Sequence, residues 1–401
     1  MKKLFSIFAL AIITAAGFTA CNDDDNEWVD PNGEPLKVIS NETSFSAPAS
    51  TGSIVVDTQD PVTVTSNDNG WVTTTVNGNT IEVAVEENLE LEGRVATLTI
   101  KAGSKKTDVS IVQSGAIFKI EIDHIYQNNS AKTLTYPVVA NLPVTFTASS
   151  DWITPTFDET TGVLSVKLAS NTTKHMRQGY IEYTCGNSTG RIPVKQCVFS
   201  TDLLGDYQLN FTNDSDGKVY YYNAKITGTA SNCKLEVASL NVTIPMTYNA
   251  TDFTFSINAG QQVGTFTYQG KDYLLGTVVV DNTAARLTWG TIYGMTASIE
   301  NGYLSSGALV TLGVFEDNGS WPGYTIDEID IELFTAYPFT SSNRAKLTLA
   351  SLINPYLLRI DQQAPAATTS TSAKGLKMDS MSAAPATAAS VIPAANFQIA
   401  Y

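Results

Sequence analysis

Thr63-Val64-Thr65-Ser66-Asn67-Asp68-Asn69-Gly70-Trp71-Val72 reads as a short alternating strand, a polar turn and a tryptophan. The pattern returns as Thr145-Phe146-Thr147-Ala148-Ser149-Ser150-Asp151-Trp152-Ile153. Downstream of each copy the same residue types follow in one frame. Asn88, Arg94 and Gln113 recur as Asn171, Arg177 and Gln196, each pair 83 residues apart. Apolar positions keep that offset at Ile81/Leu164, Val83/Val166, Leu98/Ile181, Val109/Ile192 and Ile111/Val194, as do the turn glycines Gly103/Gly186. A fixed period of this kind marks tandem copies of one domain.

Inside the first copy, residues 53–56, 62–64, 81–85, 96–100 and 108–112 alternate apolar with polar side chains. Period two between polar turns predicts half-buried antiparallel strands. Trp71 follows such a strand and reads as a core plug, with stacking on a sugar as the other reading. Arg94 and Arg177 each open a strand and read as residues that tie down a loop. Pro193 falls inside the last strand of the second copy, which places that strand at an edge or a bulge.

The order Trp71, Asn88, Arg94, Gln113, repeated as Trp152, Asn171, Arg177, Gln196, resembles the BACON family (Bacteroidetes-associated carbohydrate-binding often N-terminal). The resemblance covers about residues 36–198. It implies an immunoglobulin-like β-sandwich for each copy. It also implies a setting among secreted glycan-processing proteins, beside a catalytic or binding module.

The chain has 401 residues and a net charge of −15. Phosphate neutralisation needs Lys and Arg, so nucleic acid is an unsuitable partner. Lys2 and Lys3 precede an apolar run that ends at Gly17-Phe18-Thr19-Ala20-Cys21. This reads as a signal peptide over residues 1–20, and its end resembles a bacterial lipobox with Phe18 in place of the usual leucine. Cleavage would leave Cys21 to carry the lipid. The acidic run Asn22-Asp23-Asp24-Asp25-Asn26-Glu27 resembles the signal that sends lipoproteins of that bacterial group to the cell exterior. Cys185, Cys197 and Cys233 remain. Cys197 with Cys233 is an open pairing, and small buried hydrophobes are the default. Without a CxxC or Cys/His cluster, no zinc site is expected.

The expected organisation is a tether over 21–35, sandwiches over 36–115 and 116–199, and a β-rich domain over 200–362. A tail rich in Ala, Thr, Ser and Pro follows over 363–401. The fold class is all-β: two tandem immunoglobulin-like sandwiches, then a C-terminal antiparallel barrel or sandwich. The tail ends in Asn396-Phe397-Gln398-Ile399-Ala400-Tyr401, a short alternating segment suited to strand addition, to this chain or to a neighbour.

Two surfaces carry candidate chemistry. Glu328-Ile329-Asp330-Ile331-Glu332 resembles the active-site strand of jelly-roll β-glucanases, which implies Glu328 as nucleophile, Glu332 as acid/base and Asp330 as their partner. The chain departs from that family at Leu333-Phe334-Thr335-Ala336-Tyr337 and has too few foldable residues afterwards. An exposed acidic strand, or a weak calcium site on it, is therefore the preferred reading. The second surface is aromatic. Trp289, Trp321, Tyr293 and Tyr324 are the chosen carbohydrate contacts, because flat rings stack on pyranose faces.

These observations predict a lipid-anchored outer-membrane protein facing the exterior. It would bind a polysaccharide or glycan without catalysis and without a cofactor or metal, with the two repeats as a stalk. The alternatives are a structural or adhesive protein that binds other surface proteins through its tail, and a glycoside hydrolase using the acidic strand.

Overall fold

The structure, a computed structural model, describes residues 35–361 apart from 215 and 305–306, together with 398–399. The signal segment, Cys21, the acidic run and most of the tail lie outside the described residues. Strands make up 62% of the described residues and helices 2%, so the fold is all-β as expected. The described residues form two compact units, one built on the first repeat and the other holding the second repeat with the C-terminal domain.

The first repeat is a sandwich of two four-stranded sheets. One sheet runs Val38–Asn41, Ser50–Val56, Thr80–Val85, Val72–Asn77, and the other Ser44–Phe45, Lys105–Gln113, Arg94–Ala102, Val62–Ser66. Alternation turns Ile54, Val56, Ile81, Val83, Leu98, Ile100 and Ile111 inward, where they are fully buried. Ser44–Phe45 pairs parallel with the last strand, as Ile125–Gln127 does in the second repeat.

The second repeat has the same two-sheet plan, with Ile153–Asp158, Val163–Leu168, Lys132–Ala140, Phe118–Ile120 facing Ile125–Gln127, Ser188–Gln196, Arg177–Cys185, Val144–Ala148. The strand Ser188–Gln196 is paired on both sides over 194–196. At Pro193 one side is still open, so the missing N–H falls where no partner strand has begun.

The C-terminal domain is a closed eight-stranded barrel. Its strands are Gly205–Thr212, Val219–Thr229, Asn232–Val237, Val242–Asn249, Thr254–Asn258, Gly294–Tyr303, Leu309–Asp317 and Arg344–Asp361, the last returning to pair with the first. Arg344–Asp361 is long enough to serve two sheets. Residues 353–361 close the barrel, while residues 344–353 carry a second sheet with Glu328–Phe334, Lys271–Asp281 and Gln262–Tyr268. The strand turns at Asn354, whose φ is +47°. Leu235, Phe255, Ile257, Leu275, Ile329 and Ile331 lie in one continuous core. The three cysteines are buried and unpaired, so Cys197 and Cys233 do not form a disulfide. Gln398–Ile399 pairs antiparallel with Gly302–Tyr303 of the chain's own barrel.

The second repeat is more than a spacer, because it is joined to the barrel by side chains that bond an open strand edge. Gln178 donates to Asn301 O at 3.0 Å and accepts from Asn301 N at 2.8 Å. Lys195, 3% exposed, donates to Ile299 O at 2.8 Å and pairs with Glu300. Burial lowers the Lys195 pKa, and the Glu300 carboxylate opposes that shift. The connector Phe199–Leu203 is a single π-turn fixed by buried Asp202, which accepts from Val198 N at 2.7 Å and Asn129 Nδ2 at 2.8 Å.

Candidate functional site

Trp321-Pro322-Gly323-Tyr324 dictates its own geometry. Proline presets the second position of a type II turn and glycine accepts the positive φ of the third. Gly323 has φ +83°, and Tyr324 N donates to Trp321 O at 3.1 Å. The turn brings the rings of Trp321 and Tyr324 to 4.5 Å. A second turn, closed by Tyr293 N donating to Gly290 O at 3.0 Å, delivers Tyr293. Its ring stacks on Trp321 at 5.6 Å and 27°. All three rings are half-buried on the barrel. Ile292, 71% exposed, stands beside them.

The loop is anchored at both ends by residues that sequence reading did not single out. Gly294 N donates to Ser320 Oγ at 3.1 Å. Thr325 N donates to Asp281 Oδ2 at 2.9 Å, and Ala284 N to Asp281 Oδ1 at 2.8 Å. The Ala284 and Thr325 amides hold the Asp281 carboxyl below its ordinary pKa. Nothing local in the sequence marks Asp281, which lies on a distant strand. The signal at Ser320 is its place directly before the turn.

Three of the four chosen aromatics therefore come together and one does not. Trp289 packs edge-on against Phe334 at 6.0 Å, and Phe334 stacks on Phe339 at 4.2 Å. Trp289 belongs to a separate cluster with Val278 and Val280.

The repeat tryptophans are engaged elsewhere. Trp71 is buried and donates to Asp68 Oδ2 at 2.9 Å, and Trp152 is half-buried. Arg94 covers the Trp71 ring and donates to Gln113 Oε1 at 2.9 Å. Arg177 covers Trp152 and donates to Gln196 Oε1 at 2.8 Å. Each glutamine is fully buried and passes its amide protons to loop carbonyls: Ala47 and Glu86 in one repeat, Asn128 and Ser130 in the other. Asn171 closes a loop by donating to His175 O at 2.7 Å. The signature residues fasten the ends of the sandwich, as expected for the two arginines.

The acidic strand corrects an expectation. Glu328–Phe334 is buried at every position: it is paired on both sides, and the face opposite the main core shares the cluster of Val278, Val280, Phe334 and Phe339. The spacing does put Glu328, Asp330 and Glu332 on one face, with Ile329, Ile331 and Leu333 in the core. Each carboxyl group has a hydrogen-bond or ion-pair partner. Glu328 accepts from Asn282 Nδ2 at 2.6 Å, Asp330 from Ser351 Oγ at 2.7 Å, and Glu332 is ion-paired with Arg344. Burial, followed by the hydrogen bond to Glu328, pushes the Asp330 carboxyl up to about 8. Among the described residues, no group of three His, Cys, Asp or Glu side chains is placed to hold a metal.

Residues 61–114 and 143–196 each match the BACON family model, described as "Putative binding domain, N-terminal". The chain carries two tandem BACON repeats. No curated protein matches it. Among solved structures, an endo-fucoidan hydrolase of glycoside hydrolase family 107 is 12% identical over 42% of this chain and 29% of its own length, with a TM-score of 0.22. A pair of titin immunoglobulin domains is 14% identical over 41% and 97%, with a TM-score of 0.20. A Bacteroides ovatus GH5 xyloglucanase in complex with a heptasaccharide is 22% identical over 24% and 22%, with a TM-score of 0.19. Likenesses at this level carry no argument about activity. The BACON repeats point to a surface protein of the carbohydrate-binding type.

Proposed function

We propose that this protein is a lipid-anchored, exterior-facing glycan-binding protein that captures polysaccharide without cleaving it. The observation that carries the reading is the three-ring cluster Tyr293–Trp321–Tyr324, held on the barrel by turns and by Asp281. Rings presented this way suit stacking on sugar faces. The BACON tryptophans are covered by arginine, so recognition is assigned to the C-terminal domain. The non-catalytic reading is supported by the buried, partnered state of Glu328, Asp330 and Glu332. Support for the anchor comes from Lys2, Lys3, the apolar run and Cys21, and support for the exterior position from the acidic run after it. The second repeat, fastened to the barrel through Lys195 and Gln178, acts as a rigid mount.

The test incubates a soluble chain of residues 22–401, without the lipidated Cys21, with neutral plant, microbial and mucin polysaccharides. Gel retardation and reducing-sugar release are read on the same samples. Retardation without release is the expected result. Release would overturn the non-catalytic reading, and absence of both would overturn glycan binding.

A further inference from the structure

Where the second repeat meets the barrel, a cavity of about 560 Å³ opens between the end of the last sandwich strand, the connector and two barrel loops. Its walls are aromatic. Tyr126 and Phe253 stack at 5.3 Å with their planes 6° apart, and Phe199 lies 5.1 Å from Tyr248. Phe253 takes φ +49°, a conformation that strains a bulky residue, yet its ring is buried. The fold thus keeps a strained residue where it forms one wall of the cavity. The polar residues Asn128 and Thr229 also line the cavity, and none of the lining residues is charged.

The volume lies within the roughly 300–1,000 Å³ of small-ligand sites, which pair aromatic walls with a few polar groups. A charged ligand would leave water for walls whose nearest charges, Lys195 over the Tyr126 ring and Asp202 in the connector, are already partnered by Glu300 and by Val198 N, at a large desolvation cost. The ligand that fits is uncharged, with a flat apolar face and hydroxyls at its edge. We infer that this cavity holds one or two rings of a neutral sugar, as a glycan subsite separate from the Trp321 cluster. The inference rests on the glycan-binding reading. The two places are joined by one strand pair: Asn258 faces Gly294 beside the aromatic cluster, and Thr254 faces Ser298 next to Phe253. At about 3.4 Å per residue these two positions stand roughly 14 Å apart along the strand.

The same soluble chain is titrated with cellobiose, maltose, lactose and mannobiose by calorimetry and saturation-transfer NMR. Ala230 and Ala250 line the cavity and are exposed, so Ala230→Trp and Ala250→Trp obstruct it without entering the core. At least one disaccharide is expected to bind the wild type and Trp321→Ala alike. Its affinity should fall about tenfold or more in both tryptophan-filled variants, with Tm unchanged. Unchanged affinity in those variants overturns the inference. So does the failure of every disaccharide to bind while polysaccharide is still retarded, an outcome that leaves the glycan-binding reading standing. Loss of both kinds of binding would remove that reading as well.

Discussion

Arg177 lies over Trp152 with its guanidinium carbon 4.3 Å from the ring centroid, and Arg94 repeats the arrangement over Trp71 at 4.5 Å. The guanidinium is held in place because its Nε also donates to a buried glutamine, Gln196 or Gln113. Tryptophan, arginine and glutamine form one connected unit that satisfies loop carbonyls. This accounts for why these residue types recur in one frame without invoking a ligand.

Gln113→Ala should therefore destabilise the first repeat and leave polysaccharide retardation unchanged. The substitution removes an acceptor from Arg94 and a donor from the carbonyls of Ala47 and Glu86. The cost should be about 1–3 kcal/mol for buried polar groups left unpaired. Urea denaturation of residues 22–401 measures it. Arg94→Lys should recover little, because a lysine cannot bond Gln113 and the Glu86 carbonyl through a planar fork.

Trp289→Ala separates packing from recognition. Its ring meets Phe334 edge-on within a satellite cluster of the core. Truncation should lower stability by up to about 3 kcal/mol through the cavity it leaves. Retardation by polysaccharide should persist at temperatures where the variant is folded.

Asp281 acts on the site through the loop it holds. Asp281→Ala frees Thr325 N and Ala284 N, so the Trp321–Tyr324 turn loses an anchor. Weaker polysaccharide binding is expected, with an altered tryptophan emission spectrum. In the wild type the Asp281 carboxyl is held below its ordinary pKa, so this support is present at neutral pH. It should be lost as pH falls through that lowered value.

Asp330 gives the opposite pH dependence. Its carboxyl titrates at about 8 in the folded chain against 3.8 ordinarily, because it is buried and hydrogen-bonded to Glu328. Between those values the folded state keeps a proton that the unfolded chain releases. The stabilising contribution is complete below about 4 and disappears as pH rises through about 8. Tm of the wild type should decline across that range, and Asp330→Asn, which does not titrate, should flatten the decline.

The tandem sandwiches were legible because Trp71, Asn88, Arg94 and Gln113 recur at fixed spacing and because period-two alternation encodes which face is buried. The barrel was legible as β-structure, though its closure was not. Closure depends on Arg344–Asp361 bending at Asn354 to serve two sheets, and no local pattern states that. Within Val242–Asn249 Pro245 interrupts the alternation, so no local pattern marks that strand. The turn Trp321-Pro322-Gly323-Tyr324 identified its own aromatic pair. Trp289 was misplaced because alternation cannot tell two aromatic clusters apart, and the acidic strand was misread because burial on both faces follows from its sheet neighbours. Asp281 was invisible because its partner in the turn region, Thr325, lies 44 residues away.

The most direct test of the central claim compares wild type with Trp321→Ala, matched for Tm, in gels containing a polysaccharide that retards the wild type. The account predicts that the variant is retarded far less than the wild type, keeping only what the separate cavity subsite contributes, with the three-ring cluster broken and the fold intact. A folded Trp321→Ala variant that is retarded as strongly as the wild type would contradict it.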